Sequence, residues 1–390
     1  MKHQPLHARA AAWLRGSLLL LCACAALDAT ATAQSAPDQL VFEVAPGTKL
    51  LKIFRATHEL RIDDVGELYD DLPFVSNKTG GWLSSWQRLE FLDDYARCEL
   101  GRPLEFRRTI RDATAVGKVS ATRPGGMRQE DNSKSMSPLR LQTVRFEWVP
   151  EEHDWSRCFD KVDADEEWLD ELHGDYDLLG LLPGKPVASG DSWSIELGYL
   201  RRVFAPGGNL KLVPAGHNLF GRTMELGVGG DFADFLGADV KGEVKALYKG
   251  RRDVALDEAG TQKLECGVIE LTLNLVVSAD RTQLYRSAMP GEERREPSRL
   301  ESCTVEYSFT GSGELLWDLA NKHFHTLKLE GQEGFVATVW KARSDGKENH
   351  RLGQLSRYSG PLVLEALCED GAGVDPSKAS DNPKLRPKKR

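Results

Sequence analysis

LLGLLPGKPVASGDSWSI, residues 178–195, decides how this chain is read. Four leucines (Leu178, Leu179, Leu181 and Leu182) give way to a Pro183-Gly184 turn, and Gly190-Asp191 leads into a strand at Ser192. A solvated linker has no use for four leucines, so this stretch is expected to be buried. On both sides of it the pattern is that of β-strands. The expected fold is mainly β (α+β), with antiparallel sheets in two packed halves and a few short helices. The expected divisions are an N-terminal β-rich half with an acidic helix (34–177), the central connector (178–195), a C-terminal antiparallel β half (196–369) and a disordered, basic-ended tail (370–390).

Upstream of the connector, Trp86–Ile110 reads as a hairpin that reverses at Glu99-Leu100-Gly101-Arg102. Gly101 can supply the positive φ of the reversal, and Pro103 sits at a strand start, where its missing N–H costs nothing. Arg123–Ser137 is polar and reads as a mobile loop. Val144, Phe146 and Trp148 alternate with polar residues, as in a half-buried strand. Glu147–Asp177 holds thirteen acids against two bases, so any helix there is an acidic one. Asp163 and Glu166 have the spacing of an N-cap and its capping-box partner, which predicts up to three turns through His173, with Trp168, Leu169 and Leu172 as the apolar stripe.

Downstream, Leu197–Phe204 is expected to be a short helix. Val240–Leu256 is a long strand, and Ile269, Leu271, Leu273, Leu275 and Val277 form one apolar face of the next. Further strands are read at Val305–Phe309, Leu315–Trp317, His323–Leu329, Phe335–Arg343 and Pro361–Cys368. No long helix separates them, which excludes a parallel α/β fold.

The first 33 residues read as a signal peptide. Lys2, Arg9 and Arg15 precede an eleven-residue apolar core, Ser17–Leu27, and Ala31-Thr32-Ala33 offers a cleavage site. A competing reading takes Leu21–Cys24 as a lipobox, with Cys24 acylated as a lipid anchor. Either way the protein is expected to be exported, periplasmic or extracellular. No other run reaches the eighteen apolar residues of a transmembrane helix. The formal net charge of −8 argues against nucleic acid as a partner.

Five cysteines follow the signal: Cys98, Cys158, Cys266, Cys303 and Cys368. None forms a CxxC pair, which excludes thiol-redox and zinc-finger readings. If one disulfide forms in the first half, Cys98 with Cys158 is the choice, since both lie in expected neighbouring hairpins.

Gly190-Asp191-Ser192 invites a serine-hydrolase reading, but no Asp-x-x-His follows to supply a base, and the GxSxG elbow is incomplete. A turn before a strand explains the triplet better. His323 and His325 share a strand face and could hold one metal, yet no third ligand is suggested nearby. Asp163–Glu167 hints at a calcium loop and fails where Trp168 replaces the required Gly. The tryptophans are expected in the core, with Trp82 and Trp86 the least certain. No catalytic, cofactor-binding or metal-binding residue is assigned, and no cofactor is implied.

FLDDYARCELGRPLEFRR (91–108), SPLRLQTVRFEW (137–148), LLPGKPVASGDSW (181–193), FAPGGNL (204–210) and GELLWDL (313–319) together resemble a set of uncharacterised exported β-rich proteins of planctomycete-type bacteria. The resemblance spans most of the chain beyond the signal. It implies an exported β-rich fold, but no activity and no site residue. The function expected is a non-enzymatic binding or structural role in the cell envelope. Its alternatives are a periplasmic carrier of an apolar ligand or lipid, and a serine hydrolase using Ser192.

Overall fold

The computed structural model describes residues 36–378 apart from 70–71, 77–79, 123–127, 162–165, 175, 211, 215–239, 258, 284–297 and 345–348. The expected signal segment with Cys24, and the capping residue Asp163, lie outside the described residues.

Among the described residues, fourteen strands form one open sheet. They are β1 (Lys49–Tyr69), β2 (Leu72–Ser76), β3 (Gly81–Glu99), β4 (Arg102–Thr122), β5 (Arg128–Met136), β6 (Thr143–Val149), β7 (Asp154–Phe159), β8 (Ser192–Ser194), β9 (Val213–Pro214), β10 (Val240–Ala255), β11 (Lys263–Asp280), β12 (Ser298–Asp318), β13 (His323–Ser344) and β14 (Asn349–Asp370). The main order is β7-β6-β4-β3-β1-β14-β13-β12-β11-β10-β8; β2 adds to β1, and β5 pairs β4 and β9. Every pairing is antiparallel. The class is thus the mainly β one expected. The two halves of the sequence are two wings of a single sheet, joined where β1 pairs β14 from Leu50↔Asp370 to Tyr69↔Leu352.

The period-2 pattern makes one face apolar. On β11, Ile269, Leu271, Leu273, Leu275 and Val277 are all buried, as their alternation predicts, while Glu270, Thr272 and Asn274 face outward. The inner face of β1 carries Leu50, Phe54, Ala56 and Leu60. The chain covers this face itself. Leu169, Leu172, Tyr176, Leu178, Leu181, Val187 and Ile195 join one core cluster with the sheet, together with Leu200, Val203 and Phe204 of α1 (Leu200–Phe204). The connector leucines are accordingly inside: Leu178 and Leu181 are each 1 % exposed, and Leu179 and Leu182 pack partly buried on the same cluster.

The outer face reads as a sheet in water. Cross-strand pairs such as Lys249–Glu270 (3.2 Å) and Arg252–Glu314 (2.5 Å), and the within-strand pair Lys328–Glu330 (2.5 Å), run over it.

Several local expectations change. The polar stretch before Ser137 is largely strand β5, because β4 continues beyond its pairing with β6 and offers that free side of its ladder to Arg128–Met136. The acidic helix shrinks to one 3₁₀ turn, Glu166–Trp168, with Trp168 left 44 % exposed. Tertiary partners capture the backbone there instead: Leu172 bridges Gly208, and Arg157 Nε donates to the Leu172 carbonyl. What read as separate short strands are the continuous β12 and β13. Their interior glycines, Gly311 and Gly331, stand opposite each other, and a Cβ at either would strike the Phe309 ring at 2.6–2.7 Å. Those glycines make room for an aromatic ring rather than a turn. Finally, part of the expected tail is held. Gly371 N–H donates to Lys49 O, Val374 packs on Leu51 and Ile53, and Arg111 binds the Lys378 carbonyl. Residues 379–390 lie outside the described residues.

Candidate functional site

The connector is fixed to the sheet at three points, and a groove opens where it passes. The first point is Asp177, immediately before the leucines. Lys52 of β1 sends its ammonium to Asp177 Oδ1 (2.6 Å), Asp93 Oδ2 (2.8 Å) and the Tyr95 hydroxyl (2.6 Å). Tyr95 donates onward to Asp177 Oδ1 (2.7 Å). Arg108 of β4 grips Asp93 through two parallel bonds (2.8 and 2.7 Å) and donates to the carbonyls of His173 (2.9 Å) and Gly174 (3.1 Å). Strand register explains the convergence, because Lys52, Asp93, Tyr95 and Arg108 all fall on inner-face positions of three adjacent strands.

All these side chains are sealed from solvent. Two cations face two carboxylates, so the centre is neutral. Burial alone would raise the Asp93 carboxyl, but Arg108 and Lys52 outweigh it and hold Asp93 below the usual carboxylate range. Burial alone would lower Lys52; Asp177 and Asp93 outweigh it and move it upward. The Arg108 guanidinium also lies 5.0 Å from the Phe91 ring and 5.1 Å from the Phe106 ring. This centre is a clamp: its charges are occupied with one another and with the backbone of residues 173–174.

The second point is a two-bond bridge between Asp38 and Val187 (2.7 and 2.9 Å). The Asp38 carboxylate accepts from the Tyr248 hydroxyl (2.5 Å) and from Arg251 Nε (2.8 Å), which ties the strap of residues 36–48 to β10. The third point is the turn at Gly190-Asp191. Gly190 N–H donates to Tyr248 O (2.8 Å), and Tyr248 N–H donates to Asp191 O (2.8 Å).

Between these points lies a half-open groove of about 900 Å³. The strap Gln39–Glu43 forms one wall, the β3–β4 hairpin tip Cys98–Gly101 another, and connector residues Leu179, Leu182 and Gly184–Pro186 the third. Its lining is mixed: Leu40 is buried and Leu179 and Leu182 half-buried, while Gln39, Glu43, Glu99 and Lys185 are exposed. Leu100 stands at the tip, 97 % exposed and at φ 51°, with Gly101 following at φ 79°. The expected reversal through Gly101 is present, but it also places a leucine in the left-handed region, where a Cβ is unfavourable. The Cys98 thiol in this groove is pushed up to about 12 by burial, so it is protonated at neutral pH.

The residues singled out in the sequence fall elsewhere. Ser192 is exposed at the start of β8, opposite Leu247. The Asp191 carboxylate accepts from the Ala188 N–H (2.8 Å), so GDS is a capped turn. His323 bonds the Phe324 carbonyl (2.7 Å), and burial lowers the His325 pKa. Among the described residues no three potential ligands gather for a metal. The Cys98–Cys158 disulfide is overturned: the five described cysteines are free. Cys98 is on β3 and Cys158 on β7, three strand spacings apart along β3-β4-β6-β7, or about 14 Å. Of the tryptophans, Trp155 and Trp317 are core residues, whereas Trp82 is 39 % exposed.

One constellation escaped the sequence reading. His58 Nδ1 donates to the Glu333 carboxylate (2.8 and 3.1 Å), Tyr307 reaches the same carboxylate (3.5 Å), and Ser85 stands opposite His58 in the ladder. The residue types match a hydrolytic triad, but the setting does not. His58, Ser85 and Glu333 are at most 5 % exposed, and mid-ladder amides are committed to sheet bonds instead of an oxyanion. Nothing in spacing could have flagged it, since 275 positions separate His58 from Glu333.

No family model and no curated relative matches the chain. Among solved structures it is similar to the outer membrane protein OprG from Pseudomonas aeruginosa, at 7 % identity over 85 % of this chain and 99 % of that one, with a TM-score of 0.21. A second is the InvG secretin domain β-barrel from the Salmonella SPI-1 injectisome, at 9 % identity over 91 % and 67 %, with a TM-score of 0.15. Scores this low carry no argument about this chain. No helix among the described residues is long and apolar enough to cross a membrane.

Proposed function

We propose that this is an exported, non-enzymatic binding protein of the cell envelope whose ligand is amphipathic and enters the groove beside the connector. The observation that supports this reading is the groove itself. Its volume of about 900 Å³ falls within the range of ligand sites, and its mixed lining of leucines and charged residues suits a molecule with one greasy and one polar side. The clamp at Lys52–Asp177 and the bridge at Asp38–Val187 hold two of its walls in place before any ligand arrives, which reduces the ordering cost of binding.

The inner face offers less to a carrier of apolar ligands over the region that the connector and α1 cover, because their side chains occupy it. The outer face carries paired charges where a membrane-spanning barrel needs an apolar band.

The neutral amphipathic dye N-phenyl-1-naphthylamine tests the reading. Saturable fluorescence at one site per chain is expected, and Leu182→Trp, which fills the groove, should weaken it at least tenfold while the circular dichroism spectrum stays unchanged. Absence of saturable binding, or equal binding by the variant, overturns it.

A further inference from the structure

The strap of residues 36–48 and the connector meet once and then part, and the groove lies where they part. Their meeting point is the antiparallel bridge at Asp38↔Val187, closed by two hydrogen bonds (2.7 and 2.9 Å). From there the strap runs on as extended chain. Asp38, Leu40, Phe42 and Val44 are buried while Gln39, Val41 and Glu43 keep exposure, which is the period-2 alternation of a strand. An antiparallel ladder continuing from the bridge would set Leu40 opposite Lys185 and Phe42 opposite Pro183. Pro183 and Pro186 have no N–H to give it, and no such pair forms. The strap is next bonded at Glu43, whose N–H donates to Lys322 O (3.1 Å). Between these two anchors, the N–H and carbonyl groups of Gln39, Leu40, Val41 and Phe42 bond to no other described residue.

Four consecutive residues thus have the pattern of a strand without a neighbouring strand, and all four line the groove. Leu40 and Phe42 are at most 4 % exposed, and main-chain groups so removed from water are normally paired. A lipid can cover Leu179 and Leu182, but it offers nothing to a row of alternating donors and acceptors. An extended peptide offers both.

The rim adds two observations. Leu100, 97 % exposed, takes the first position of the two-residue reversal between Glu99 and Arg102 at φ 51°, where Gly, Asn or Asp is favoured. This leucine neither eases the turn nor packs on the fold, and a chain leaving the groove over the hairpin tip would cover it. Glu99 on the tip and Lys185 on the connector are exposed, opposite in charge and in no ion pair among the described residues. Two walls of the groove therefore complement a ligand that has both signs of charge.

We propose that the groove receives an extended segment of a partner polypeptide, which adds to the strap as a strand. Its apolar side chains rest on Leu179, Leu182 and Leu100, a basic residue faces Glu99 and an acidic one faces Lys185. The strap wall Gln39–Glu43 is about 17 Å long as extended chain, which sets the paired segment at about five residues. Strand addition rests on the reading of the groove as a ligand site and names the class of its ligand.

Two fluorescein-labelled heptapeptides of alternating valine and threonine test it on the full chain, beside N-phenyl-1-naphthylamine. One has lysine near its amino end and glutamate near its carboxyl end, and the other has these two exchanged. One peptide should bind saturably, once per chain and at least fivefold tighter than the other, and displace the dye. N-methylation of one alternate set of its amides should weaken binding at least tenfold and of the other set much less, because a strand paired along one edge uses alternate amides. Glu99→Lys with Lys185→Glu should reverse the preference between the peptides. Leu100→Asn, whose side chain suits the left-handed turn, should weaken the preferred peptide at least threefold without lowering the melting temperature. If the dye binds and neither peptide does, strand addition alone fails; if neither dye nor peptide binds, the reading of the groove fails with it. Equal loss from both methylated sets, or a charge preference that the double variant leaves in place, also overturns strand addition by a partner. So does binding of a synthetic copy of residues 379–390 in place of either peptide, which would make the chain's own end the occupant.

Discussion

The Lys52 ammonium lies 2.6 Å from the Asp177 carboxylate, and both are closed off from water, so the first long strand holds the connector from beneath. Removing Lys52 leaves Asp177 buried without its cation, a change that typically costs about 3–5 kcal/mol. Lys52→Met should lower the urea midpoint accordingly. Lys52→Met with Asp177→Asn should recover part of the loss, because Arg108 still neutralises Asp93. A double variant no more stable than the single would show that the two residues are not coupled.

Acid should act in two windows. His173 is depressed to about 4, first by burial and then by Arg201, Arg202 and Arg157. A histidine kept neutral in the fold while the unfolded chain takes up a proton gives stability that is full above about 6.5 and is lost as pH falls toward 4. The slope is at most roughly 1.4 kcal/mol per pH unit. Asp93, depressed against its own burial by Arg108 and Lys52, contributes stability above about 3.9 that is lost below it. Melting curves from pH 7.5 to 3 should show both slopes. His173→Gln should flatten only the upper one, and an unchanged upper slope would remove His173 as its source.

Leu181 is 1 % exposed in the core cluster that both wings share. Leu181→Ala should cost about 2–5 kcal/mol and shift a single unfolding transition. If calorimetry resolves two transitions and only one moves, the wings unfold as separate units.

Thiol reactivity should follow burial. Cys98 and Cys158 are half-buried, whereas Cys266, Cys303 and Cys368 are at most 1 % exposed. Native protein should therefore react with a small maleimide at Cys158 first; Cys98, half-buried but held protonated, should follow slowly, and the other three only after unfolding. All five should titrate as free thiols in guanidinium without reductant. A shortfall of two would restore a disulfide.

Some of this architecture was legible in the chain and some was not, for identifiable reasons. The alternation from Ile269 to Val277 identified a strand because its outward positions are polar, and Gly101 marked a reversal because two-residue hairpins need positive φ. The continuity of β12 and β13 was not legible, since the apolar alternation lapses at Gly311 and Gly331, where a Cβ would strike the Phe309 ring. The 163–173 segment had every local mark of a helix, but the tertiary bonds at Leu172 decided otherwise. The groove was invisible: its three walls come from residues 39–43, 98–101 and 179–186, and nothing in any one of them announces the other two.

The seam between β1 and β14 bears on how the molecule comes into being. Leu50 needs Asp370 as its partner, so the strand at the centre of the sheet has one empty edge until some 320 further residues have been delivered. A chain emerging from its amino end must therefore keep a long, bondable edge from pairing wrongly while its true neighbour is still to come. Pairings this distant close slowly and expose incomplete intermediates to aggregation. Truncation shortly before β14 should then yield not a slightly smaller protein but one with an open wound at its middle.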